Sequence, residues 1–210
     1  MLLKRYGRSY CEELGIAIER NTPSVLFRWL CATILFSIRI SANLAVRGAK
    51  ALFDEGWTTP EKMLAASWEE RTRVLNQSGY ARYDESTSTK LAAASELLLR
   101  EFGGDLRQLR ERARRDPAKE HELIQIFKGI GPAGADIFCR EAQAAWSELY
   151  PFVDKLALEA AKRLRIARAP EELAKLTGKE QFPRLLAALV RVHLADAYAK
   201  IREQTPLGEG

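Results

Sequence analysis

No stretch of five or more residues in this chain alternates apolar and polar side chains cleanly, so half-buried β-strands are not expected in it. What recurs is the spacing of helices, in segments dominated by alanine, leucine, arginine and glutamate. The fold class expected is all-α. Proline and glycine punctuate it. Asn21-Thr22-Pro23-Ser24 opens an apolar helix through Phe36, and a second runs from Ala42 to Phe53, ended by Gly56 to Pro60. Thr59 caps a short third helix, and Trp68 to Asn76 gives a fourth, closed at Ser78-Gly79. After a polar run from Tyr83 to Thr89, the apolar positions Leu91, Ala94, Leu97 and Leu98 define another, stopped by Phe102-Gly103-Gly104. Further helices are expected on both sides of Gly129-Ile130-Gly131, from Asp154 to Ile166, from Pro170, and from Phe182-Pro183 onward, before a frayed tail at Thr205 to Gly210.

Composition narrows the function classes. At 210 residues, 47% hydrophobic and 29% charged, the chain can bury a core and is not a disordered one. Its most apolar stretch, Val25 to Val46, is broken by Arg28 and Arg39, with ten residues between them. A membrane span needs about 20, so this is a buried core helix, and no membrane partner is expected. The N-terminus has positive charge without an apolar region behind it, so no export signal is read there. Cys11, Cys31 and Cys139 are scattered, odd in number and never spaced C-x-x-C, and there are only two histidines. No metal, cluster or other cofactor is expected, and a reducing, cytoplasmic setting fits. A net charge of +5 admits a polyanionic partner without requiring one. The run Arg107, Arg110, Arg112, Arg114 and Arg115 reads first as a solvated face.

The most informative segment runs from Leu123 to Phe138, where Gly129 and Gly131 flank Ile130 between two apolar helices. Glycine permits positive φ and lets a partner approach the backbone. The second helix starts at Pro132, and its first N–H groups have no acceptor of their own, an arrangement suited to a phosphate oxygen. Ile130 can tuck inward and pin the two helices together. An ordinary helical corner would use the same residues.

The pattern from Phe127 to Ala135 resembles the hairpin of helix-hairpin-helix proteins. Downstream, Pro151-Phe152-Val153-Asp154 leads into a helix ending in Arg163-Leu164, which resembles the second signature of the endonuclease III superfamily of DNA glycosylases. Ile34 to Arg39 resembles that family's early helix, and Gly79-Tyr80 its glycine–aromatic turn. The likeness runs from about Leu26 to Ile166, roughly two-thirds of the chain. It implies two helical lobes with a cleft between them. One, residues 30–147, carries the hairpin; the other combines residues 1–29 and 148–210.

For chemistry, the resemblance implies a catalytic carboxylate at Asp154, stabilising the positive charge that builds on the sugar as an N-glycosidic bond breaks. The competing expectation for Asp154 is an N-cap. DNA contact is implied for Lys128, Gly129, Ile130, Gly131, Ala133 and Gly134. Arg39 and Tyr80 are candidates for a wedge or base pocket, with Trp29, Phe36, Tyr83 and Tyr150 as further aromatics that could equally be core. The family's lyases use a hairpin lysine that matches Ala133 here, and alanine cannot form an imine. No cysteine follows Cys139, whereas many members end in a four-cysteine cluster loop. The function implied is removal of a damaged or mismatched base from double-stranded DNA by a monofunctional glycosylase acting as a monomer, nucleoid-associated in a bacterium or archaeon. The alternative is a hairpin module that binds DNA without catalysis.

Overall fold

A computed structural model describes residues 2–202, and among them the protein is all-α, with no strand. The tail from Thr205 to Gly210 lies outside the described residues. In chain order the helices begin with α1 (Leu2–Tyr6), α2 (Tyr10–Glu13), α3 (Pro23–Phe36), α4 (Ala42–Asp54) and α5 (Pro60–Ala65). They continue with α6 (Trp68–Leu75), α7 (Asp84–Phe102), α8 (Leu106–Arg112), α9 (Pro117–Ile124) and α10 (Pro132–Ala142). The last four are α11 (Lys155–Leu164), α12 (Pro170–Ala174), α13 (Phe182–Leu194) and α14 (Tyr198–Arg202). No helix is long and apolar enough to cross a membrane among the described residues.

Local chemistry sets many of these boundaries. Ser9 with Glu12, and Ser67 with Glu70, form reciprocal caps on α2 and α6. Thr59, Asp105 and Asp116 accept from first-turn amides of α5, α8 and α9. Proline occupies the first turn of α3, α5, α9, α10, α12 and α13, where its missing N–H is no loss. The polar run from Tyr83 to Thr89 is almost wholly helix. Its Thr87 and Ser88 face inward, and Ser88 Oγ accepts from Nε of the buried Arg71 at 3.2 Å.

α3 is apolar on every side because it runs through the larger core. Leu26, Phe27, Trp29, Leu30, Ile34 and Leu35 are all 0% exposed, and α4, α7 and α10 pack around them. Trp29 Nε1 donates to Phe138 O at 3.1 Å, which fixes α10 against α3.

Buried apolar side chains form two clusters, a larger one from Tyr10 to Leu149 and a smaller one from Ala157 to Tyr198. The N-terminal segment is shared between them. Leu2, Leu3 and Tyr6 of α1 pack on the smaller cluster, but Tyr10, Cys11, Leu14, Ile16 and Ile18 are buried in the larger. The two buried clusters part between α1 and α2.

Candidate nucleic-acid interface

The hairpin is built as its sequence suggests. Asp116 Oδ1 accepts from Ala118 N and Lys119 N at the start of α9, and His121 Nε2 lies 2.8 Å from Asp136 Oδ1, tying α9 to α10. Phe127 and Ile130 are buried between the helices, while Lys128, Gly129, Gly131, Pro132 and Ala133 are exposed. Gly129 sits at φ +100°, a conformation that only glycine adopts readily. Gly131 differs: its backbone is extended, and a Cβ there would meet nothing within 4 Å. Gly131 opens α10 without a side-chain cap, and the N–H groups of Gly129, Gly131, Ala133 and Gly134 find no acceptor among the described residues. These donors, with the positive end of the helix dipole, make an electropositive tip.

Two further segments press on the tip. Gly134 is buried against Ser37 in the loop after α3, so close that a Cβ would collide with Ser37 Oγ. That contact brings Arg39, exposed and without an ion pair among the described residues, into a loop that touches the hairpin. On the other flank, the side chain of Lys90 from α7 lies across Gly129. Lys90 was not singled out by sequence reasoning, because its proximity arises from the fold.

Tyr80, a candidate wedge or pocket residue, lies in the core. It is 1% exposed, its hydroxyl donates to Leu35 O at 3.1 Å, and burial pushes its pKa up to about 12. Trp29 is likewise core. The basic run of α8 is largely spent within the chain. Arg110 grips Glu148 with bonds of 2.5 and 2.6 Å, and Arg107, Arg112 and Arg115 pair with Asp105, Glu101 and Glu111.

Asp154 caps α11, its Oδ1 accepting from Ala157 N at 3.0 Å. Its Oδ2 accepts from Arg140 Nη1 at 2.9 Å, and both side chains are 4% exposed. Each carboxylate oxygen thus has a partner inside the protein. Arg140 comes from the far end of α10, and its guanidinium also lies 5.6 Å from the centroid of the Tyr10 ring. The arginine holds the carboxylate by one contact and leaves its own Nε buried without an acceptor. Gln143 completes the surround, donating to Phe152 O and accepting from Phe152 N at 3.0 and 3.1 Å. An open hollow of about 870 Å³, lined by Lys162, Arg165, Ile166, Ala167, Arg168 and Glu172, lies at the other end of α11.

Beneath the hairpin lies an acidic pair. Glu120 of α9 is 0% exposed, and its carboxyl faces that of Glu148. Burial, and then the neighbouring Glu148 carboxylate, push its pKa up to about 8. Glu148 is held down to about 2: burial works against this, but the hydrogen bonds from Arg110 outweigh it. Cys11, Cys31 and Cys139 are free, buried thiols, all raised chiefly by burial.

The helices, with the hairpin between α9 and α10, define the fold. Two solved structures share it over most of the chain. A non-covalent endonuclease III–DNA complex superposes with a TM-score of 0.56 at 19% identity, covering 91% of this chain and 80% of that one. A trapped endonuclease III–DNA covalent intermediate, an estranged-adenine complex, gives 0.51 at 20% identity over 80% of this chain and 73% of that one. The chain has the fold of endonuclease III. No family model matches its sequence, and no curated protein matches it either.

Proposed function

We propose that the protein is a helix-hairpin-helix module that binds double-stranded DNA, as a monomer, through the tip formed by Lys128, Gly129, Ile130, Gly131, Ala133 and Gly134. The observation that carries this reading is the exposed tip, where the N–H groups of Gly129, Gly131 and Ala133 have no acceptor among the described residues, on a fold shared with proteins solved on DNA. In this reading Asp154 serves the structure. A carboxylate that stabilises an oxocarbenium-like sugar must reach it, and this one is 4% exposed with both oxygens engaged.

One observation favours a second reading, the monofunctional base-excision glycosylase. Arg140 holds Asp154 by a single contact with an orphaned Nε, so one rotation of the arginine would free a carboxylate at the helix start that the family resemblance makes catalytic. One experiment separates the two. The protein is incubated with lesion-bearing and mismatched duplexes, treated with alkali to reveal abasic sites, and assayed in parallel for binding. Binding without base release is the expected result. Base release that disappears in Asp154→Asn would replace the binding module with the glycosylase.

A further inference from the structure

We propose that Lys90, on α7 and outside the hairpin, is a second phosphate-binding group of the interface. The proposal rests on the DNA-binding reading and extends it. A Cβ placed on Gly129 would lie 2.8 Å from Lys90 Cδ, 3.4 Å from Cγ and 3.5 Å from Cε. The lysine stem is therefore laid along the hairpin backbone, in space that exists only because residue 129 is glycine. This contact holds a flexible side chain against the tip, reducing the rotamer freedom it would lose on binding.

Its charge has no internal employment. The Lys90 ammonium takes part in no hydrogen bond or ion pair among the described residues. One turn away on α7, positions 86, 87, 93 and 94 hold serine, threonine, alanine and alanine, so no carboxylate is within helical reach. The tip offers none either: its exposed residues are Lys128, Gly129, Gly131, Pro132 and Ala133, and Asp136 behind them is engaged by His121. By contrast, Arg107, Arg110, Arg112 and Arg115 on α8 and just after it all have carboxylate partners. A cation without an ion pair among the described residues, beside unaccepted N–H donors, fits the oxygens of a phosphodiester. A lysine there acts as a point charge and adds affinity without reading sequence.

The test compares wild-type protein with Lys90→Met and Lys90→Gln in binding to one undamaged duplex across a salt series. Methionine keeps most of the stem against Gly129, so folding is retained, and thermal melting checks this for both variants. The expected result is weaker binding to every sequence tried, with the slope of log K against log salt less steep by about 0.9, the share of one phosphate contact on duplex DNA. The wild-type advantage should then shrink about 3-fold between about 50 and 200 mM salt. Wild-type binding with a steep salt slope that folded variants match in affinity and slope would overturn the role of Lys90 and leave the hairpin reading standing. Absence of salt-dependent binding by the wild type would overturn the hairpin reading, and this inference with it.

Discussion

An aspartate at the start of a helix can cap it, pair with a cation, or face a reactant, and Asp154 is occupied by the first two. This changes what a substitution there measures. Asparagine can still cap α11 through its one oxygen, but its amide nitrogen then faces the Arg140 donor, and the buried guanidinium loses both the acceptor and the charge it pairs with. Breaking a buried pair from one side costs about 3–5 kcal/mol. Asp154→Asn should lose stability within that range, read as a lowered urea midpoint. Adding Arg140→Met should return part of the loss, because the orphaned charge goes with it. An Asp154→Asn midpoint equal to wild type would show that the pair is not what holds this corner together. The sequence makes the cap legible, since an aspartate before Lys155-Leu156-Ala157 needs only its own neighbours. It gives no sign of Arg140, which reaches Asp154 from the far end of another helix, or of Arg71, whose partners Met63, Ala66 and Ser88 lie on both sides of it in sequence.

At the scale of elements, helix existence was readable because caps and prolines act within one turn, as Thr59, Asp116 and Pro132 do. The start of α7 was harder to read because the apolar period begins seven residues after Asp84, at Leu91. Two of the polar side chains are satisfied across the fold: Asp84 Oδ2 accepts from Asn76 Nδ2 at 2.8 Å, and Ser88 Oγ donates to Trp68 O at 3.1 Å. The acidic pair under α9 has a consequence for pH. A carboxyl whose pKa is raised by folding contributes stability below its ordinary value, and that contribution is lost as pH rises through the raised one. For Glu120 the window runs from 4.5 to about 8. Glu148 has the opposite sign: its contribution is present above 4.5 and lost as pH falls toward about 2. The charged and titratable neighbours are Arg110 and Glu111 on α8, Asp116 on α9, Cys139 on α10, and Glu148 itself. Wild-type stability should therefore fall between about pH 5 and 8, and Glu120→Gln, neutral throughout, should flatten that limb while leaving the acid limb. Denaturant midpoints across pH check it, and an unchanged slope in Glu120→Gln would assign the alkaline loss to other groups.

On the scale of the whole molecule, the question is what makes two cores behave as one. Sequence patterning can mark two apolar clusters, but it cannot show how they are joined, because the joint is made by arginines that look like surface residues in one dimension. Arg191 on α13, in the smaller core, donates to Glu13 of α2 at 2.5 Å, and its guanidinium lies 4.3 Å from the Tyr10 ring centroid. Arg184 of the same helix donates to Gly7 O at 2.8 Å, and Arg140 reaches Asp154 from the larger core. Glu141 steadies the receiving side by accepting from Tyr10 N and Cys11 N at 3.1 and 3.3 Å. Residues that meet in one such network couple energetically, so the wild-type protein should unfold as a unit. Reporters for the two cores are already separate. The three cysteines are buried in the larger core and all four tryptophans precede residue 147, while α11 to α14 contribute only helicity to the smaller one. In wild-type protein, tryptophan fluorescence, thiol labelling and far-ultraviolet circular dichroism should therefore give one coincident urea transition. Arg191→Ala removes the ion pair and the ring contact while remaining a good helix former. In that variant, part of the dichroism should be lost first, with fluorescence unchanged and the thiols still protected, as the smaller core melts alone. A coincident transition in Arg191→Ala, merely displaced to lower urea, would mean that apolar packing between α10 and α13 joins the cores and the arginine seam does not.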